Sequence, residues 1–125
     1  MQNMATVNNL KDRTKKFSID VVALVAELPK SVVAEVLGKQ ILRSATSVGA
    51  NYRAACRAKS QADFINKIAI VIEEADETQF WIELMVETKI IKRDIAALLW
   101  KEADELVSIM TASSKTAKKN SKIKT

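Results

Sequence analysis

The chain is expected to fold as an all-α protein, an antiparallel up-down-up-down four-helix bundle. Three observations lead there. Only two glycines and one proline occur in 125 residues, too few for the turns of unusual φ that hairpins and barrel corners need. Apolar residues recur at three- and four-residue steps along four separate stretches, the spacing of one helix face. The connections between those stretches are short, roughly two to five residues, which favours antiparallel neighbours. With 48% of its residues apolar, a chain of this length has room for one core and one domain.

The first stripe is Leu10, Thr14, Phe17, Val21, Leu24 and Leu28. Pro29 has no N–H and biases the residue before it away from α geometry, so this helix is expected to stop near Leu28. Ser31 is the expected N-cap of the second helix, whose stripe is Val33, Leu37, Ile41, Ser44, Val48, Tyr52 and Ala55. Ser60 and Asp63 form a Ser-x-x-Asp variant of the capping box. It precedes a third stripe of Phe64, Ile68, Val71, Ala75, Thr78, Ile82 and Met85. The fourth reads Ile91, Ile95, Leu98, Ala103, Leu106 and Ile109, slips by one residue around Glu102, and fades after about Ala112. The organisation predicted is a flexible N-terminus over residues 1–9, the bundle over 10–112, and a disordered lysine-rich tail over 113–125. Ser44, Ser47, Asn51 and Thr78 lie on or beside apolar stripes, where polar groups fix helix register by hydrogen bonding.

Composition also narrows the chemistry. No histidine is present, which removes the commonest general base and the commonest metal ligand. Glu73, Glu74 and Glu77 supply carboxylates at helical spacing. Di-iron bundles pair such carboxylates with Glu-x-x-His, so here they read as a solvated or interface-paired acidic face. Cys56 is the single cysteine and has no histidine to activate it, so it reads as packed and inert. The expectation is a protein without catalytic residues, metal or cofactor, and not an enzyme. No uninterrupted apolar run exceeds the six residues of Val21 to Ala26, against about 20 needed to span a bilayer. Met1 to Asn9 is polar and lacks a signal-peptide layout. A cytoplasmic protein with no membrane partner is expected.

Charge is unevenly placed. The net charge is +5, and Lys115, Lys118, Lys119, Lys122 and Lys124 lie in a stretch with no acid. From Lys39 to Lys67 the basic residues Lys39, Arg43, Arg53, Arg57, Lys59 and Lys67 face one acid, Asp63. From Glu73 to Glu87 there are six acids and no base. Arg53, Arg57, Lys59 and the five tail lysines are the candidate nucleic-acid contacts, engaging phosphates with little base readout. Arg43 and a base-stacking Tyr52 extend the same surface. Pairing of the basic helix with acids, within the chain or across subunits, is the competing reading.

Helix 2 also has a second face of small or apolar residues, Gly38, Leu42, Ala45, Gly49 and Cys56. Each helical glycine costs about 1 kcal/mol relative to alanine, which close approach of another backbone would offset. Helix 3 carries apolar residues outside its stripe, among them Phe80, Trp81 and Leu84. Together these predict self-association, through Gly38, Leu42, Arg43, Ala45, Gly49, Tyr52, Glu74, Glu77 and Trp81. Separate basic and acidic patches favour head-to-tail contacts, which close into a ring when the rotation permits.

The run from Arg43 to Arg53, RSATSVGANYR, is followed by Arg57-Ala58-Lys59-Ser60, Asp63-Phe64-Ile65, Glu74-Ala75-Asp76-Glu77-Thr78 and Trp81. These residues resemble the bacterial four-helix bundle proteins encoded in intervening sequences of 23S ribosomal RNA genes, over about residues 10–112. That family is similar in fold to the accessory protein of diversity-generating retroelements, a basic barrel that binds nucleic acid and a reverse transcriptase. The resemblance implies an up-down bundle, a homopentameric ring and no established enzymatic activity. The alternative to nucleic-acid binding is a protein-interaction scaffold, the ring presenting one surface to a protein partner such as a reverse transcriptase or a ribosomal factor. Ala54 stands where glutamate is common in that family, and Cys56 where a polar residue such as asparagine is expected. The missing carboxylate makes the face around Arg53 more basic.

Overall fold

The computed structural model describes the backbone of residues 4–123 and the side chains of residues 9–122. Four helices follow one another: α1 (Met4–Ala26), α2 (Val32–Cys56), α3 (Gln61–Glu87) and α4 (Arg93–Ile123). The described residues contain no strand. None of these helices is long and apolar enough to cross a membrane.

Local chemistry sets the boundaries. Ahead of Pro29, α1 ends in a tightened turn, with Glu27 and Leu28 N–H groups donating to Leu24 and Val25 carbonyls. The Ser31 hydroxyl accepts from Ala34 N at 3.1 Å, and the Ser60 hydroxyl from Asp63 N at 3.0 Å, so both expected caps form. Asp63 returns a bond to the Lys59 N–H, one residue before the position a Glu would reach. Lys89 ends α3 at φ 62, with Lys89 N donating to Val86 O and Ile90 N to Met85 O. These are the two bonds of a Schellman motif, with lysine where glycine is usual.

Consecutive helices pack antiparallel along their length, while α1 meets α4 only sparingly. Gly38 of α2 faces Val25 and Leu28, and Gly49 faces Thr14, Lys15 and Ser18. Between α2 and α3, the buried hydroxyls of Ser44 and Thr78 share a 2.8 Å bond. Asn51 Nδ2 donates to the carbonyl and hydroxyl oxygens of Ser47, a bond pair within α2. Gln79 of α3 reaches Trp100 O and Asp104 of α4, while the Trp100 indole N–H donates to Glu83. A charge clamp joins α1 to α4: Arg13 grips Glu102 through two 2.7 Å bonds and Glu105 at 3.0 Å. The Glu102 hydrogen bonds hold the Arg13 guanidinium above its already high range, against the opposing effect of burial.

The core follows the predicted stripes of α1 to α3 except at the ends, where Val33 is exposed. In α4 the register differs. The buried residues are Ala96, Leu99, Ala103, Leu106, Met110, Ser114 and Ala117, an unbroken three–four series needing no slip at Glu102. Ile95 and Leu98 are 50% and 74% exposed. Reading by bulk selects these two; the close approach of α3 and α4 instead accepts the smaller Ala96 and Ala103.

Both chain ends also depart from expectation. Helix α1 begins at Met4 and α4 runs to Ile123. Residues 113–123 are therefore helix, not a disordered tail. Alanine and lysine are strong helix formers. Ser114 and Ala117 pack inward, and lysines near a helix C-terminus complement its dipole.

The glycine face of α2 is thus covered by α1 of the same chain. A Cβ at Gly49 would lie 2.7 Å from Ser18 Oγ and 3.3 Å from Thr14 O. The Ser18 hydroxyl donates to Ala45 O at 2.8 Å, so moving it breaks a cross-helix bond. Gly49→Ala should lower stability by about 1–2 kcal/mol despite the gain in helix propensity. The loss should shrink in a Ser18→Ala background, where the closest atom is gone. Chemical denaturation of the four members of this double-mutant cycle measures that coupling.

Candidate nucleic-acid interface

Antiparallel packing brings the α2–α3 turn beside the last third of α4. The tie is explicit: Gln61 Nε2, in the first turn of α3, donates to Ala117 O at 2.9 Å. One end of the bundle therefore collects Arg53 and Arg57 from the end of α2, Lys59 from the turn, and the lysines of α4.

All of these side chains are exposed. Lys115, Lys118, Lys119 and Lys122 fall at i, i+3, i+4 and i+7, one face of α4 directed away from buried Ser114 and Ala117. Arg53, Arg57, Lys59, Lys115, Lys118 and Lys119 have no ion pair among the described residues. Lys124 lies outside the described residues. No acid occurs between Leu106 and Ile123, and Asp63 is the only one between Arg53 and Lys67. Because the α4 lysines ride on a helix, neighbouring Cβ atoms are about 5–6 Å apart. They form a fixed array in place of mobile chain.

Arg43 does not join this surface. Its guanidinium donates to Glu74 at 2.8 Å and to Glu77, and Glu77 also accepts from the Trp81 indole N–H. These residues form one network within the chain, and Trp81 packs edge-on against Phe80. Gly38, Ala45 and Gly49 lie in the α1 seam, with Leu42 half-buried at its margin. The features that suggested a second subunit at these positions are satisfied inside one chain.

A cavity of about 650 Å³ opens between the α2–α3 turn and α4. Phe64, Ile109, Ala112 and Ala117 make much of its apolar wall, with Lys59 and Asn120 among its polar lining. Neither this cavity nor the Arg13 clamp has a local sequence signature. Arg13 and Glu102 are 89 residues apart, and the cavity is assembled from three helices. No group of three or more acidic, thiol or imidazole side chains that could hold a metal ion occurs among the described residues. Glu74 and Glu77 are engaged with Arg43, while Glu73 is exposed.

Three comparisons with known proteins bear on this chain. Residues 8–112 match a family described as 23S rRNA-intervening sequence protein. A crystal structure of a protein of unknown function, from the S23 ribosomal protein family of Bacteroides thetaiotaomicron, is 39% identical with a TM-score of 0.80. The similarity covers 85% of this chain and 98% of that one. No curated protein matches.

Tyr52 corrects the sequence reading most directly. It is 0% exposed, so it cannot stack a base at the surface or present itself to another subunit. Burial pushes its phenol well above the usual tyrosine range, and adjacent Cys56 adds to the shift. The unfolded chain loses this proton near pH 10 and the folded one only at higher pH. Stability is therefore unaffected by this group below pH 10 and falls above it, because there the unfolded state binds fewer protons. The fall should approach 1.4 kcal/mol per pH unit. Tyr52→Phe should remove that component of the alkaline loss, measured by denaturation at stepped pH. As the single tyrosine in the sequence, Tyr52 also reports its own ionisation by ultraviolet absorbance.

Proposed function

The chain belongs to the 23S rRNA-intervening sequence protein family, and from that premise we propose that it is a self-associating, non-enzymatic bundle that binds nucleic acid electrostatically. The observation carrying this reading is the convergence of α2, the α2–α3 turn and α4 on one end rich in cations and poor in acids. Phosphate backbones bind such a surface by counterion release, independently of sequence. Arg53, Arg57, Lys59 and the α4 lysines are the contacts; Arg43 is not, because two carboxylates already hold it.

Self-association is supported from another part of the surface than the glycine face. Ile95 and Leu98 lie seven residues before Glu102 and Glu105, on the face of α4 that those acids turn toward α1. Helix α1 leaves them uncovered. Val36, seven residues before Arg43, similarly continues past the Arg43–Glu77 pair, where Val33 and Phe80 are also exposed and Leu84, seven after Glu77, is half-buried. Two unlike apolar patches fit head-to-tail contact. The family resemblance supplies the number, five.

Two measurements test these proposals. Replacing Lys115, Lys118 and Lys119 with alanine should weaken binding of mixed-sequence RNA and DNA. It should also make the slope of log K against log salt shallower by about 2. An unchanged slope would sink the electrostatic reading. For assembly, Ile95→Glu with Leu98→Glu should give a smaller species by light scattering with unaltered helicity, since both positions are exposed.

A further inference from the structure

We propose that the cavity at the basic end receives one unpaired nucleobase, so that the protein prefers single strands to duplex. This rests on the nucleic-acid reading above and adds to it the class of strand.

The argument begins with what the site offers. Cavities of this size class are the usual hosts of small flat ligands. Phe64 lines this one and is only partly buried, leaving an aromatic ring available for stacking. At the wall, Gln61 Nε2 is committed to Ala117 O, which leaves its carbonyl oxygen as an acceptor. Thr116 and Asn120 add groups that both donate and accept. An apolar interior with a few polar groups suits a base, which has two π-faces and a hydrogen-bonding edge.

The surrounding charge decides what carries that base. Lys59 lines the cavity itself, while Lys115, Lys118 and Lys119 sit on the face of α4 turned away from the lining positions Ile109, Ala112, Thr116 and Asn120. A ligand entering here meets the Lys59 cation and no acidic lining residue, and a strand whose flanking phosphates continue around α4 engages its lysines as well. In a duplex each base is stacked and paired, and its delivery into a concave site costs unpairing. A single strand delivers a base at much lower cost.

Electrostatics alone predicts the opposite preference, because duplex has the higher charge density and the steeper salt slope. Strand preference therefore separates the cavity from the lysines. Fluorescence anisotropy with 12-nucleotide RNA, DNA and duplex DNA of the same sequence, at one salt concentration, reads it. The full chain should bind both single strands about tenfold more tightly than duplex, the size of one stacked base. Ala112 and Thr116 are exposed at the cavity mouth, so Ala112→Leu and Thr116→Leu narrow it without touching the core. Each should abolish the preference while leaving duplex affinity and circular dichroism unchanged. A strand carrying one 2-aminopurine should lose fluorescence on binding the parent protein and not the narrowed variants. Equal affinity for single strands and duplex, or a preference surviving both substitutions, overturns the proposal. In either case the lysine variant still loses affinity for every strand. If it does not, the nucleic-acid reading itself has failed.

Discussion

The close approach of α1 to α2 at the two glycines governs the rest of the molecule. With Ser18 bonded to Ala45 O and no Cβ at Gly49, the backbones sit nearer than ordinary side chains allow. Helix α1 is thereby committed to α2, and its contact with α4 is sparse. Across that second seam the Arg13 fork on Glu102 and Glu105 adds a polar tie to the shared core. A bidentate arginine–carboxylate pair is among the stronger surface contacts, but it seals only its own turn. Beyond it, Ile95 and Leu98 remain in solvent.

Much of this was legible in the sequence, and the failures have physical causes. The N-caps at Ser31 and Ser60, the stop before Pro29 and the stripes of α1 to α3 depend on interactions within a few residues. A pattern scan reads those directly. The register of α4 depends on which partner it meets, and the choice of Ala96 over Ile95 is invisible without α3. The same holds for the glycines. Spacing shows that Gly38 and Gly49 admit a close neighbour, but not whether that neighbour is α1 or another chain. Arg43 with Glu74 was foreseeable as one alternative, because antiparallel packing about a short turn places Arg43 opposite Glu74 to Asp76; Glu77, one residue beyond that span, joins the pair. Arg13 with Glu102 and Glu105 spans nearly the whole chain and has no such cue.

The lysine segment shows a local rule and a tertiary contact cooperating. Poor in bulky apolar residues, residues 113–123 could not hold themselves against a core by burial alone. Their helix persists because the interior positions are small, Ser114 and Ala117, and because Gln61 bonds the Ala117 carbonyl. The consequence for function is a change in kind. Mobile lysines would gain phosphate contacts at an entropic cost for each side chain and backbone residue ordered. Lysines already placed on a helix face lose only side-chain freedom on binding, so more of each contact appears as affinity.

The exposed apolar residues and the cations sit far apart on α4. From Leu98 to Lys118 is 20 residues, about 30 Å of helix. Assembly through the first surface therefore leaves the second uncovered. In a closed ring each copy would direct its basic end the same way. Like charges then gather on one rim, which opposes assembly at low salt and weakens as ions screen it. A polyanion lying along that rim would remove the repulsion and gain contacts from several copies at once. Linkage makes the effect reciprocal: whatever a bound strand contributes to holding copies together, assembly returns as affinity for the strand.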